Sequence, residues 1–522
     1  MSVVRLRRGG WLFLLLLAGG VAAFSLVWYA ASKETGGSQP AYGGTYTEGL
    51  IGAPSRVNPL FAEQNAADSA LVSLLFSGLT RLDDKAQPFP DLAAGWDVSP
   101  DGMIYTFHLR DGLVWQDGEP LTADDVVFTY KLLESPDLRS PPDLAQVLSA
   151  ATVTKADALT VRIELAQPFA PLPAYLGFGV LPKHVLENVP VGALYDDPFN
   201  VRPMGAGPYH LESLSQDRAL LVANPAYQLG QPYVQHLELR FYRDSGALMA
   251  GLKDGHVDGA FFPSGVNSGD YAYLQSRKNL SLYALSSGEV SFLYFNLEDP
   301  LFTDRRVRQA LAYAIDRDGL VQEAAGAPSL RADSPLAEGT WAYSPAFERY
   351  SFDPTVAAAL LDEAGWRLNA SGLRSNGSRT LSFSLATNND PSRVAVANSI
   401  ATRWRSLGVL AKVEAGGTTT LVRDLLEPRA YQAALFAYSA SQDPDPYPAW
   451  HSSQTGPDGR NISLLSDPRF DRLLEEARRI PDQARRSGLY GQFQQLFADE
   501  VPAIPLSSSV SLYVQRSSVK GA

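Results

Sequence analysis

Two closely spaced carboxylates are the sharpest chemical feature of this sequence. Asp443 and Asp445 stand in QDPDPYPAW, each followed by a proline. A following proline disfavours helical backbone, so both belong to extended or turn structure. Like charges at that spacing need solvent, hydrogen-bond donors or a cation beside them. Three readings stay open: a structural loop or the rim of a ligand cleft, a catalytic pair of the kind that cleaves glycosides, and a cation site. The segment 444–450 holds three prolines with Tyr447 and Trp450. A stiff loop bearing aromatics suits a cleft rim, and core packing accounts for Trp450 equally well.

Other chemistry is largely excluded. With no cysteine there is no disulfide, thiolate nucleophile, thiolate-held zinc or iron–sulfur cluster, and no lipid anchor on a cysteine. His108, His184, His210, His236, His256 and His451 are scattered and form no HExxH pair, so no metal site is expected. GxSxG, GK[ST] and GxGxxG are all missing. Gly205 and Gly207 in GAGPY suit a tight crossover or a close backbone approach better than a phosphate. No catalytic residue and no cofactor is expected.

The elements that must position these residues read as mixed α and β. The chain has 522 residues, 45% hydrophobic, with net charge -12, which argues against a nucleic-acid partner. Arg5, Arg7 and Arg8 precede an uncharged run from Trp11 to Ala31. As a helix that run spans about 31 Å, enough to cross a bilayer with the N-terminus cytoplasmic. Trp28 and Tyr29 sit where an interfacial belt would place them. The run is read as a signal anchor; a cleaved signal peptide, ending near Ala30 or Ser32, is the rival. No later apolar run is long enough to span.

Beyond a polar linker, 40–290 is rich in short strands. Asp101-Gly102 and Asp117-Gly118 are turn signals around a strand at 103–109. Thr122 with Asp125 forms a capping box ahead of a helix. From 296 to 500 helices are clearer. Asp304 caps the helical pattern RRVRQALAYAIDRDGL, Asp353-Pro354 opens a helix that Gly365 ends, and further helices are expected at 392–407, 470–479 and 482–498. Strands are expected at 409–415, 431–439 and 510–514. This alternation gives α/β layers, and a cleft between two such bodies is a favoured ligand site.

In order along the chain, AAGWDVSPDGMIYTFHLRDGLVWQDGEPLTADDVVFTY, GAGPYHLES, NPAYQLGQPYVQHLEL, YFNLEDPLFTDRRVRQALAYAIDR, FDPTVAAALLDEAGW and DPDPYPAWHS resemble the dipeptide- and oligopeptide-binding proteins of bacterial ABC importers. The resemblance runs over roughly 43–516. It implies an α/β, two-lobed periplasmic-binding-protein-like fold of type II, the large peptide-binding class, with an extra subdomain in the first lobe. Residues 1–39 would be anchor and linker. Residues 40–80, 200–290 and 501–522 would form lobe 1, 81–199 the extra subdomain, and 291–500 lobe 2. The chain would cross between lobes near 290 and near 500, a paired hinge that closes on its solute.

The same resemblance implies ligand-binding residues: Gly52, Ala53 and Pro54 on one side, and Phe436, Ala437, Tyr438, Ser439, Ala440, Ser441 and Asp443 on the other, with Trp450 beside them. Peptides would bind by main-chain hydrogen bonds, which every peptide can make. The tyrosine at 438 replaces a frequent tryptophan. One departure concerns specificity. The acid that pairs with a peptide's ammonium in such receptors corresponds here to Ala440 or Ser441, neither a carboxylate. The implied partners are a small solute, by default a peptide, and membrane permease subunits with indirectly coupled ATPases. The receptor itself is expected to be a monomer on the outer face of a bacterial membrane. A ligand-sensing receptor without transport and an extracellular carboxylate-dependent hydrolase are the competing functions.

Overall fold

The computed structural model describes residues 41–139, 142–323, 329–377, 379–439 and 442–519. The expected membrane anchor and linker, together with Ala440 and Ser441, lie outside the described residues. Among the described residues no helix is long and apolar enough to cross a membrane.

One 11-stranded sheet runs through the molecule. Its spine is a pair of long antiparallel strands, Leu280–Phe295 and Ala503–Arg516, whose ladder extends from Leu280 opposite Arg516 to Tyr294 opposite Ala503. On one side of the spine come the strands Ala433–Ser439, Ser382–Asn388 and Leu410–Gly416; on the other come Gly259–Phe262, Gly43–Ile51, Val234–Tyr242, Arg218–Ala223 and Tyr209–Leu214. Midway the ladder slips register between Ser286 and Val290 and again between Ser291 and Phe292. Gly288 sits in that slip with φ +73°, a conformation that an L side chain strains.

Each end of the spine belongs to a different hydrophobic core, which makes the molecule two-lobed. Leu512 and Val514 pack with Leu248, Val257 and Phe262. Val501, Ile504 and Leu506 pack instead with Val307, Leu385 and Trp404. The first lobe's largest core joins Leu237 and Leu239 to Tyr105, Phe107, Val161 and Ile163 of a separate four-stranded sheet. Fully burying one such side chain contributes about 1.5–3 kcal/mol, so these clusters hold the lobes independently.

Most expected elements are present. The capping box on helix Ala123–Leu133 forms, with Thr122 accepting from the chain and Asp125 accepting from the Thr122 N–H. Asp353 accepts from Thr355 and Val356 at the start of Pro354–Glu363, and Gly365 follows at φ +85°. The single helix expected after Asp304 is instead two, Arg305–Tyr313 and Arg317–Glu323. Asp316 breaks the run by accepting from the Gly319 N–H at 3.0 Å, a capping bond the apolar pattern does not reveal. Gly205 and Gly207 make the expected close approach: a Cβ on Gly205 would lie 1.9 Å from the Leu75 carbonyl oxygen.

In the first lobe, Glu48 lies among phenols. Tyr513 donates to it at 3.0 Å, and the Tyr46 and Tyr513 hydroxyls are 2.7 Å apart. Burial pushes the Glu48 carboxyl up to about 7, against the opposing pull of the tyrosine hydrogen bonds.

Candidate functional site

The loop after strand Ala433–Ser439 carries both conspicuous carboxylates, and each is matched to an arginine. Arg486, from helix Gln483–Glu500, donates to Asp443 Oδ1 at 2.6 Å and Oδ2 at 3.1 Å. It also donates to the Tyr490 hydroxyl at 3.0 Å and lies 4.8 Å from the Trp341 ring centroid. Burial works against the Arg486 charge, and the Asp443 carboxylate more than restores it, leaving its pKa above the ordinary value. Arg478, from helix Pro468–Arg479, donates to Asp445 Oδ2 at 2.7 Å and covers the Tyr447 ring at 3.8 Å. The compensating cations for this acidic pair are guanidinium groups of the protein itself. Each carboxylate is thus held by its own guanidinium, and no cluster of three or more metal-ligating side chains occurs among the described residues.

Two expectations are corrected here. Trp450 is 1% exposed and packs against Phe292, Tyr294 and Phe497, with centroids 5.7, 6.0 and 4.7 Å away. It is core, not rim, because the helical turn Tyr447–Trp450 points it inward. Asp443 is also 1% exposed, and both its oxygens serve Arg486, so it fixes the loop instead of facing a ligand.

The residues just before the loop behave differently. Along Ala433–Ser439 exposure grows from the buried Ala433 to the exposed Ser439. Phe436 and Tyr438 project to one face and, with Tyr294, form the aromatic floor of a cavity of about 930 Å³. Ala437 also lines it, while Ser439 does not. The walls come from 422–429 and 455–462. Arg429 pins these walls together, donating to the carbonyls of Leu426, Glu427, Gly456 and Gly459 at 2.7–3.0 Å. No sequence motif marks the second wall; the signal is confined to the paired glycines Gly456 and Gly459, and a Cβ on Gly459 would lie 2.0 Å from the Gln454 carbonyl oxygen.

A second cavity, of about 370 Å³, opens in the first lobe, lined by Phe76, Arg81, Asp91, Tyr175, Phe178 and others. Gln442 reaches into it from the second lobe. Nearby the lobes touch directly: the Ala170 N–H donates to the Arg478 carbonyl at 2.7 Å, and the Trp341 N–H to the Lys85 carbonyl at 3.0 Å. Gly52, Ala53 and Pro54 line neither cavity. Gly52 donates to the Tyr242 carbonyl at 2.8 Å with φ +114°, Ala53 is exposed and its carbonyl accepts from Asn65 at 3.0 Å, and Pro54 is buried. The structure therefore gathers Phe436, Ala437 and Tyr438 around one space and leaves 52–54 apart from it.

Comparison with known proteins gives a consistent result. Residues 87–460 match the model of the bacterial extracellular solute-binding proteins, family 5, middle region. A putative ABC transporter peptide-binding protein of Brucella ovis is 30% identical over 493 residues, covering 91% of this chain and 88% of the relative. The oligopeptide-binding protein AppA of Bacillus subtilis, solved with a nonapeptide, is 27% identical with TM-score 0.66, covering 93% of this chain and 96% of AppA. NikZ of Campylobacter jejuni, solved with Ni(L-His), is 28% identical with TM-score 0.67, covering 91% of this chain and 95% of NikZ.

Proposed function

Since the chain belongs to the bacterial extracellular solute-binding proteins of family 5, we propose that it is the extracytoplasmic substrate-binding component of an ABC importer. It captures a peptide or similar small solute between its lobes and hands it to membrane permease subunits, whose ATPases supply the energy. It works as a monomer, without turnover, held at the outer membrane face by residues 11–31. Residues 81–199 form an extra subdomain of lobe 1, in the type II, large peptide-binding class. The second hinge crossing lies within strand Ala503–Arg516 and not near 500, because residues up to Leu506 share the second lobe's core.

The observation that carries this function is the pair of strands joining two separately packed lobes beside an aromatic-floored cavity. Two strands that share one slipped, glycine-bearing ladder bend together, and bending closes the gap. The direct support for a peptide comes from the relatives: AppA was solved with a nonapeptide. NikZ, solved with Ni(L-His), shows that a protein this similar can hold a different solute.

The test is mass spectrometry of solute released from the purified full chain, with tryptophan fluorescence on adding a peptide panel. A saturable shift with peptides recovered intact is expected. Cleaved peptides, or no response to any peptide or co-purified solute, would overturn the reading.

A further inference from the structure

We infer that the second-lobe cavity receives an anionic group of the solute, a carboxylate, through Arg460. This rests on the solute-receptor reading and specifies the chemistry of the bound molecule. Three arginines line the cavity. Arg423 is engaged by its neighbour Asp424, at 2.5 and 2.8 Å. Arg429 gives its hydrogen bonds to the four wall carbonyls described above. The Arg460 side chain has no hydrogen-bond or ion-pair partner among the described residues, although Arg429 fixes the carbonyl of the preceding Gly459. Its fork is therefore carried on an anchored loop and left open to an incoming group.

Position and surroundings favour an anion. Arg460 shares the cavity with Phe436 and Tyr438, and at the Tyr438 hydroxyl its charge acts against that of Asp445, which is already held by Arg478. The rings of Tyr294, Phe436 and Tyr438 exclude water from one side, which strengthens a charge-assisted bond formed against them. A second cation, Arg393, stands 5.7 Å from the Phe436 ring centroid and donates to Glu289 at 3.4 Å. The sequence from Phe436 to Ser441 has no acid to attract an ammonium group. The acids that do line the cavity, Glu427 and Asp458, are exposed and belong to its walls, not to the aromatic floor. A guanidinium with free donors, beside a floor whose nearest carboxylate, Asp445, is already paired with Arg478, is the arrangement that reads a planar carboxylate in two-point fashion.

Calorimetric titration of the full chain distinguishes the signs. The probes are N-acetyl-trialanine, which has a carboxylate and no amine, and trialanine amide, which has an amine and no carboxylate. The acetylated probe should bind at least about tenfold more tightly. Arg460→Gln should remove that preference while leaving the melting temperature unchanged, and Asp458→Asn should keep or enlarge it. An amide bound as well as or better than the acetylated probe, or a preference that survives Arg460→Gln, overturns the inference and leaves the receptor standing. If the wild-type chain binds neither probe while it responds to members of the peptide panel, this inference falls and the receptor reading stands; if it responds to no peptide at all, both fall.

Discussion

Two neighbouring loops of the second lobe invert what their sequences advertise. QDPDPYPAW, at 442–450, has paired acids, aromatics and prolines, and nearly all of its chemistry is turned inward: Asp443 to Arg486, Asp445 to Arg478, Trp450 to the core. TGPDGRNI, at 455–462, shows no motif, yet it walls the large cavity with Arg460 and Asp458 exposed. Polar groups with matched partners make a scaffold; polar groups without them are available to a guest. Residue type alone does not separate the two, because the partners come from helices some 30 to 45 positions away.

The contrast is broken most directly at Asp443. Asp443→Ala leaves a buried guanidinium without its carboxylate and should destabilise the protein by about 3–5 kcal/mol. Chemical denaturation followed by tryptophan fluorescence measures this; an unchanged midpoint would mean the pair is not scaffold.

Much of the local structure behind this contrast is legible in the sequence. Asp353-Pro354, the Thr122/Asp125 box and the two GAGPY glycines announce themselves because caps and close approaches act over a few residues. The strand Ala503–Arg516 is legible only at 510–514. Pro505 and the serines 507–509 look like loop, and their strand character comes from pairing with 280–295, more than 200 residues earlier. The aromatic side of the cavity, Phe436 to Tyr438, was legible through family resemblance. Its opposite wall was not, since Arg429 joins 426–427 to 456–459 by main-chain bonds that leave no side-chain pattern.

Glu48 sharpens the comparison, being a half-buried acid with phenols for neighbours where the buried Asp443 has a guanidinium. Its folded pKa, raised to about 7 from an ordinary 4.5, means that the folded chain holds this proton more tightly than the unfolded chain. Its contribution to stability is therefore full below pH 4.5 and is lost as pH rises toward 7. Denaturation midpoints for Glu48→Gln should lack that fall, and a wild-type-like slope in the variant would show that Glu48 is not its source.

The smallest effect is expected at Arg460. With no partner to lose, Arg460→Gln should change stability by less than about 0.5 kcal/mol, whatever it does to binding. A loss comparable to that of Asp443→Ala would place loop 455–462 with the scaffold and erase the distinction.

The strand Ala503–Arg516 supplies residues to the interior of both lobes. Neither half can complete its part of the sheet until those residues are in place. The two halves are consequently committed to their final form together, by one shared stretch of chain, and neither is a self-sufficient folding unit without it.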